Sequence, residues 1–395
     1  MPRQPLHDLL MQRLREPRRF IQVLAGPRQV GKTTLVQGVM AAMDRPTHYA
    51  SADEPRLQAR TWVEQQWDQA RLLVGEQKHG AVLVLDEIQK IPRWSDTVKL
   101  LWDADTRKKA PLKVVLLGSA RLLIQQGLTE SLAGRFEVIR APHWSWMEMK
   151  DTFGWTLEKY LYYGGYPGSA SLTGEPERWR HYIRDSLVET TIARDILMMS
   201  RVDKPALLRR MFHLACDYSG QILSYQKMLG QLVDAGNTVT LAHYLELLSG
   251  AGMVEGLQKY SHGKVRSRGS SPKLQVLNTA LMTAHLDLPL PELRKSPEVW
   301  GRLVESAVGA HLLNTSQGTT IEVSYWRDRN LEVDFVLQQG QKVTAIEVKS
   351  GRSRECLPGL EMFAKSFKLQ RKLLVGGQGI ALEDFLSKPA AHWLA

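Results

Sequence analysis

The sequence has few cysteines and no long apolar run, and each absence excludes a class of protein. Cys216 and Cys356 are the only 2 cysteines among 395 residues, and they lie far apart. They cannot form the disulfide framework of a small secreted domain, which favours a reducing cytoplasm. No apolar run approaches the roughly 20 residues needed to cross a bilayer, and the polar, basic N-terminus does not resemble a secretory signal. We expect a cytoplasmic chain with no membrane partner.

Internal repeats and low-complexity tails are also lacking, whereas positive charge is in excess. Lys and Arg number 52 against 41 Asp and Glu, which gives a formal net charge of +11 at pH 7. A basic chain is attracted to polyanions, and nucleic acid is the commonest polyanion in a cytoplasm. A generally basic surface without a specific partner explains the same charge. Composition alone therefore leaves DNA or RNA binding open.

The first third of the chain alternates apolar strand patterns with amphipathic segments, which predicts a parallel α/β sheet. Strands are predicted at 19–25, 48–51, 81–85 and 113–117. A helix is predicted from Lys32 onward and another at 63–74. The composition changes at the Trp- and Met-rich stretch 142–154, and we place the end of the first domain there.

A glycine-rich loop follows the first predicted strand and opens the first predicted helix. It satisfies the pattern G-x-x-x-x-G-K-[ST] at every fixed position, and its strand–loop–helix context is the one this motif requires. Such a loop points backbone N–H groups at phosphates, and the helix N-terminus adds a favourable dipole. Lys32 is expected at the β- and γ-phosphates. The predicted nucleotide-binding residues are Gly26, Pro27, Arg28, Gln29, Val30, Gly31, Lys32, Thr33 and Thr34.

The apolar strand 81–85 runs directly into Asp86 and Glu87. Two carboxylates at the end of a buried strand are costly without a partner. A Mg²⁺ ion held by Asp86 and the Thr33 hydroxyl would offset that cost, and Glu87 is placed to orient or deprotonate the attacking water. An ordinary strand followed by an exposed acidic turn is the alternative.

Helical patterns dominate the middle of the chain. After a helical region at 157–199, three short helices are predicted at 206–218, 224–232 and 240–249, with Ser224 and Thr240 at the N-cap positions. A strand beginning at Met253 and Val254 then completes the order of a winged helix-turn-helix. The basic run 264–273 would form the wing. The residues expected to contact DNA phosphates are Lys264, Arg266, Arg268 and Lys273.

A second set of charged residues lies near the C-terminus, where 332–337 and 342–348 are predicted to pair as a hairpin. Folding about Gly340 brings Asp334 across from Glu347, while Glu347 and Lys349 share a face. Glu305, on a helix predicted at 297–314, could complete a Mg²⁺ shell. The order and spacing resemble the PD-(D/E)xK nuclease core. A solvated sheet face gives the same alternation, and DNA binding without cleavage is the favoured interpretation.

Several short sequence motifs together resemble those of one group of bacterial and archaeal AAA+ ATPases. They are the segments 26–34, 85–89, 118–119, 131–135 and 164–167. The resemblance implies a winged-helix region, a C-terminal restriction-endonuclease-like domain and an oligomer that acts on branched or recombining DNA. It also assigns Ser119 to sensing the γ-phosphate and Arg135 to an arginine finger for a neighbouring subunit. A surface Arg135 paired within its own chain is the alternative.

The predicted architecture is α/β and has four parts. They are an AAA+ P-loop ATPase core at 1–153, a helical lid or linker at 154–202, a winged helix-turn-helix at 203–275 and a mixed α/β nuclease-like domain at 276–395. The leading prediction is an oligomeric, ring-forming ATPase that uses ATP and Mg²⁺ to remodel or translocate DNA. An ATP-regulated nuclease and an ATP-gated switch with a protein partner are the two rivals.

Overall fold

The computed structural model describes residues 3–53, 60–75, 80–118, 131–198, 200–261, 270–351 and 357–395. Two compact units divide the chain between Ala141 and Pro142. We describe each unit by itself. The finer division into four domains remains a prediction.

The first unit contains four α-helices, one 3₁₀ helix (Ile88–Lys90) and five strands within its described residues. The helices are α1 (Gln4–Arg15), α2 (Lys32–Ala41), α3 (Arg60–Val74) and α4 (Trp94–Arg107). The strands are β1 (Ile21–Ala25), β2 (Thr47–Ser51), β3 (Ala81–Asp86), β4 (Leu112–Gly118) and β5 (Phe136–Arg140).

These strands form one parallel sheet in the order β2-β3-β4-β1-β5, as far as the described residues extend. Every residue of β1 and β3 is buried, as expected for a parallel sheet covered by helices on both faces. The first strand begins at Ile21 rather than at residue 19 because Arg19 and Phe20 are exposed. Parallel strands end at one edge, so the loop after β1 and the acidic pair after β3 meet there. The predicted parallel α/β sheet is confirmed.

The second unit contains helices and strands, and its C-terminal part is mixed α/β, as predicted. Its helices are α5 (Trp146–Phe153), α6 (Leu157–Tyr163), α7 (Pro176–His181), α8 (Pro205–Asp217), α9 (Tyr225–Gln231), α10 (Thr238–Gly250), α11 (Thr279–Leu286), α12 (Leu290–Lys295), α13 (Pro297–Ser316), α14 (Pro358–Ser366) and α15 (Leu382–Leu386). Two π-helical stretches follow α7, at Tyr182–Glu189 and Thr191–Leu197.

Three helices and a two-stranded antiparallel sheet follow one another in this unit. The strands are β6 (Val254–Leu257) and β7 (Lys273–Val276), and they come after α8, α9 and α10. The Ser224 side chain accepts from the Lys227 N–H and caps α9 as predicted. The cap predicted at Thr240 is wrong, because Asn237 accepts from the Thr240 N–H at 2.9 Å and α10 begins earlier. The assignment as a winged helix remains a prediction.

The remaining strands form a second sheet near the C-terminus. They are β8 (Glu322–Asp328), β9 (Leu331–Gln339), β10 (Lys342–Lys349) and β11 (Arg371–Gly376), in the order β11-β10-β9-β8 among the described residues. The predicted hairpin joins β9 and β10, with Gly340 at φ 59° in its turn. Helix α13 packs against β7, β8 and β10. None of the helices in the described ranges combines the length and hydropathy needed to cross a membrane.

Candidate nucleotide site and a second charged cluster

The loop between β1 and α2 has the backbone geometry of a phosphate cradle. Gln29 and Gly31 adopt left-handed conformations with φ of 59° and 80°. A Cβ on Gly26 would lie 2.0 Å from the carbonyl oxygen of Ala141, so this close approach requires glycine. The loop therefore curls back at the start of α2, where the N–H groups of a helix N-terminus favour an anion.

Lys32 is the first residue of α2, and its side chain folds into this loop. It is buried, and its Nζ donates to the carbonyl oxygens of Gly26 at 3.0 Å and Pro27 at 2.7 Å. The ammonium thus lies beside the cradle that phosphates would enter. Of the other predicted nucleotide-binding residues, Pro27 and Val30 are buried, Arg28 is half-buried, and Gln29 and Thr34 are exposed.

Thr33 and Asp86 lie side by side although 52 residues separate them in the chain. The Thr33 hydroxyl donates to Asp86 Oδ2 at 2.8 Å. Asp86 Oδ1 accepts from the Glu87 N–H at 2.8 Å. Both are hard oxygen groups of the kind Mg²⁺ prefers, and their contact fits a shared ion of that type. The predicted metal pair is brought together.

Tyr49 also belongs to this site, although no motif pointed to it. Its hydroxyl donates to Asp86 Oδ2 at 2.8 Å from the neighbouring strand β2. Burial and this hydrogen bond raise the pKa of Tyr49 above its ordinary value, so the hydroxyl stays protonated and remains a donor. The available signal was a polar-tipped aromatic residue within the strand predicted at 48–51.

Glu87 follows Asp86 in a left-handed conformation, with φ of 52°. Its Oε2 accepts from Gln89 Nε2 at 2.8 Å and lies 4.0 Å from Lys90 Nζ. Lys90 also pairs with Asp53, which follows β2. A non-glycine residue held in this conformation, with its carboxylate tethered, is an arrangement often found at active sites. The assignment of Glu87 to water activation remains a prediction.

Arg135 makes a two-pronged ion pair within its own chain. Its Nε and Nη2 donate to the two carboxylate oxygens of Asp103 on α4, at 2.8 and 3.0 Å. The hydrogen bond from Arg135 lowers the pKa of Asp103, so the carboxylate stays charged. About a third of each side chain is exposed. Ser119, the predicted γ-phosphate sensor, lies outside the described residues.

The four residues predicted as a nuclease site also come together. Asp334 Oδ2 accepts from the Val348 N–H at 2.8 Å, and Lys349 Nζ lies 2.7 Å from Glu347 Oε1. Glu305 reaches the same cluster from α13. Burial and repulsion from Asp334 raise the pKa of Glu347 to about 7. The predicted proximity of these side chains is confirmed, and their catalytic role is not tested by it.

Lys273 lies in this cluster and not on a basic wing. Its side chain has 0% exposure, and its Nζ lies 2.6 Å from Glu305 Oε1, 3.2 Å from Glu332 Oε1 and 3.6 Å from Asp334 Oδ1. The prediction that Lys273 contacts DNA phosphates is therefore wrong, because β7 carries the side chain inward. Its predicted companions Lys264, Arg266 and Arg268 lie outside the described residues.

The carboxylates compensate the burial of this lysine. Burial alone would lower the pKa of Lys273, but the charges of Glu305, Asp334 and Glu332 outweigh it and raise the pKa above the ordinary value. Among the described residues, no three carboxylate, imidazole or thiol groups are spaced to share a metal ion. The residues present do not fit the Mg²⁺ shell that the nuclease resemblance implies.

Three segments of the chain match family models. Residues 18–150 match the model described as AAA domain. Residues 154–292 match Domain of unknown function (DUF8612), and residues 300–383 match Domain of unknown function (DUF4143). The first match covers β1 to β5 and thus the whole candidate nucleotide site.

Similar proteins were found among curated sequences and solved structures. "Uncharacterized protein Mb2031c" of Mycobacterium bovis and "Uncharacterized protein Rv2008c" of Mycobacterium tuberculosis are each 25% identical over 338 residues, covering 83% of this chain and 70% of theirs. The Orc1 protein of Aeropyrum pernix, solved in complex with DNA, is 12% identical, with coverage of 74% of this chain and 94% of that chain. Its TM-score of 0.32 is too low to carry an inference. The family match and the parallel sheet together identify the first unit as a P-loop α/β core of the AAA type.

Proposed function

We propose that this chain is a Mg²⁺-dependent ATPase that assembles into an oligomer and acts on DNA in the cytoplasm. The 2.8 Å contact between Thr33 and Asp86 carries the ATPase part, because it joins the two predicted halves of the site. The AAA domain match over residues 18–150 supports the same activity. When bound, Mg²⁺ would neutralise phosphate charge and polarise the transferred phosphoryl group.

Each residue of the site has a distinct task in this proposal. Backbone N–H groups of the loop bind phosphate oxygens, and Lys32 turns from the Gly26 and Pro27 carbonyls to contact the β- and γ-phosphates. Thr33 and Asp86 hold the ion. Glu87 orients the attacking water or accepts its proton, and Gln89 fixes the direction of that carboxylate.

The DNA part of the proposal depends on charge. Besides the buried Lys273, eight Lys and Arg against five Asp and Glu lie between residues 203 and 275, where the winged helix is predicted. Helix α10 has no Lys or Arg, and Val239 in its first turn is exposed. This composition is poor for reading base edges, so we propose that phosphates are the main contact. The preferred substrate in this proposal is branched DNA that the ATPase remodels or translocates.

ATP turnover by the purified chain tests the proposal. We expect hydrolysis that requires Mg²⁺ and is stimulated by DNA, with four-way or forked DNA stimulating more than duplex or single strands at a fixed salt concentration. Because phosphate contacts release counterions, stimulation should weaken steeply as salt rises. Lys32→Ala is the inactive control. If no DNA changes the rate of ATP turnover, the result would contradict the proposal that the chain acts on DNA and would favour an ATP-gated switch with a protein partner.

The oligomer is proposed because segment 131–135 resembles the arginine-finger segment of AAA+ ATPases, in which the arginine contacts a neighbouring subunit's ATP. The Asp103 pair that restrains Arg135 is partly exposed, and such pairs contribute only about 0–1 kcal/mol. Releasing the Arg135 guanidinium from Asp103 therefore costs little free energy when an interface forms. A ring would provide one such interface for each subunit.

Mixing two inactive variants tests this arrangement. Arg135→Ala should bind ATP normally but hydrolyse it poorly, and mixing it with Lys32→Ala should restore part of the activity at hybrid interfaces. Asp103→Asn is the matched control, because it frees Arg135 without removing it and should keep turnover. Absence of rescue from variants that still assemble would show that Arg135 does not act in trans.

A further inference from the structure

Lys273 is an unusual residue in the second unit because it is charged and completely buried. It is the first residue of β7, which pairs with β6 and packs against α13. Its aliphatic stem and ammonium reach the strand β9, and the Nζ lies 5.0 Å from the centre of the Phe335 ring. A buried ammonium is tolerated only where paired groups compensate its lost hydration.

The oxygens around Lys273 Nζ converge from two elements. Glu305 Oε1 on α13 lies at 2.6 Å, while Glu332 Oε1 and the Asp334 carbonyl oxygen on β9 both lie at 3.2 Å. The Glu332 carboxylate and the Asp334 carbonyl accept hydrogen bonds from the ammonium, and the Glu305 carboxylate forms an ion pair with it. All three distances are longer than the roughly 2.0–2.1 Å at which oxygen ligands bind Mg²⁺.

Close packing fixes α13 against these strands. A Cβ on Gly309 would lie 2.2 Å from Gln275 Oε1 and 2.8 Å from the Phe335 ring, so only glycine permits the approach. Glu305 lies one helical turn before Gly309 and therefore shares its face. The tight contact holds the Glu305 carboxylate beside Lys273, and the cluster has little freedom to exchange one cation for another.

We propose that the Lys273 ammonium is a built-in cation that holds the place of the metal ion in this carboxylate cluster, so that the second unit binds no catalytic Mg²⁺ and does not cleave DNA. The cluster then serves to join β7 to β9 and α13. Lys349 pairs with Glu347. In this proposal Lys349 and Asp334 keep their positions in the cluster but take no part in cleaving a phosphodiester.

Manganese binding to the full-length, nucleotide-free protein tests this proposal, with free Mn²⁺ followed by electron paramagnetic resonance. The wild-type protein and Asp334→Asn should give superimposable binding curves. A Mn²⁺ ion that the wild-type protein binds and Asp334→Asn loses would overturn the proposal. Metal-dependent cleavage of plasmid DNA by the wild-type protein, lost in Lys349→Met, would overturn it as well.

Removing the built-in cation gives the second arm of the test. Lys273→Met keeps the length of the side chain and removes its charge, so Glu305, Glu332 and Asp334 can close on a cation and the variant should gain one Mn²⁺ site per chain. The double variant with Asp334→Asn should lose that site again. A folded Lys273→Met protein that gains no Mn²⁺ would overturn the proposal. If circular dichroism shows that this variant does not fold, the wild-type comparison with Asp334→Asn still decides the question.

Discussion

The site at the end of β3 and the cluster on β9 both bury carboxylates, but they neutralise them differently. Asp86 is surrounded by neutral donors, namely the Thr33 and Tyr49 hydroxyls and the Glu87 N–H. These donors satisfy its described hydrogen bonds, and none of the three carries a positive charge. In the C-terminal cluster, a lysine ammonium provides the positive charge itself.

This difference separates a site prepared for a cation from one already filled. Neutral hydroxyl donors can give way to a metal ion at little electrostatic cost, because no ion pair is broken. Displacing Lys273 would strand a charge with 0% exposure, which is far more costly. The carboxylates of the C-terminal cluster therefore do not by themselves predict a metal site, because Lys273 already provides the positive charge there.

Glu87→Gln should have the largest effect of the changes that test this comparison. The amide cannot accept a proton from water, so ATP turnover should fall by about 10²–10⁴-fold while ATP binding persists. Turnover and binding are measured separately, by phosphate release and by nucleotide titration. Glu322→Gln on the exposed start of β8 is the matched control and should hydrolyse ATP normally. Normal turnover in Glu87→Gln would remove Glu87 from the reaction.

The two lysines of the C-terminal cluster should contribute unequally to the stability of the second unit. Lys273→Met leaves buried carboxylates without their cation and should lower the free energy of unfolding by about 3–5 kcal/mol. Lys349 is 40% exposed, so Lys349→Met should cost less than about 1 kcal/mol. Urea-induced unfolding, followed at the transition of the second unit, measures both changes in the free energy of unfolding. Equal losses from the two changes would show that Lys273 is not the central cation of the cluster.

Tyr49→Phe should have a smaller effect. It removes one of the hydrogen bonds that orient Asp86, a loss of about 1 kcal/mol, so the affinity for Mg²⁺-ATP should weaken by about five-fold. Tyr218→Phe is the control, since its hydroxyl accepts from Gln231 in the second unit. Nucleotide titration at fixed Mg²⁺ checks the difference. Unchanged affinity in Tyr49→Phe would mean that Thr33 and the Glu87 N–H orient Asp86 unaided.

Much of the nucleotide site could be predicted because its signals are local. The loop 26–33 and the strand 81–85 are short continuous patterns, and parallel topology dictates that their ends meet. Tyr49 could not be predicted from a motif. Its role depends on β2 lying next to β3 and on the reach of a long side chain, both of which are properties of the folded sheet.

The C-terminal cluster was predicted only in part, because its last member comes from a distant segment. Asp334 and Glu347 lie on one hairpin, whose turn and alternation bring them together. Lys273 comes at the end of a basic run, where neighbouring charges suggest a solvated surface. Pairing of β7 with β6 turns its side chain inward instead, towards partners 32 to 61 residues away along the chain. Glu332 was missed even though it lies two residues from Asp334 and thus on the same face.

The number of Mn²⁺ ions bound per chain in the presence of a non-hydrolysable ATP analogue tests the central contrast most directly. Titration of the wild-type protein should show one tightly bound ion. Asp86→Asn should abolish that binding, and Asp334→Asn should leave it unchanged. A second ion that disappears in Asp334→Asn, or an ion that persists in Asp86→Asn, would contradict the division between a site prepared for metal and a cluster filled by Lys273.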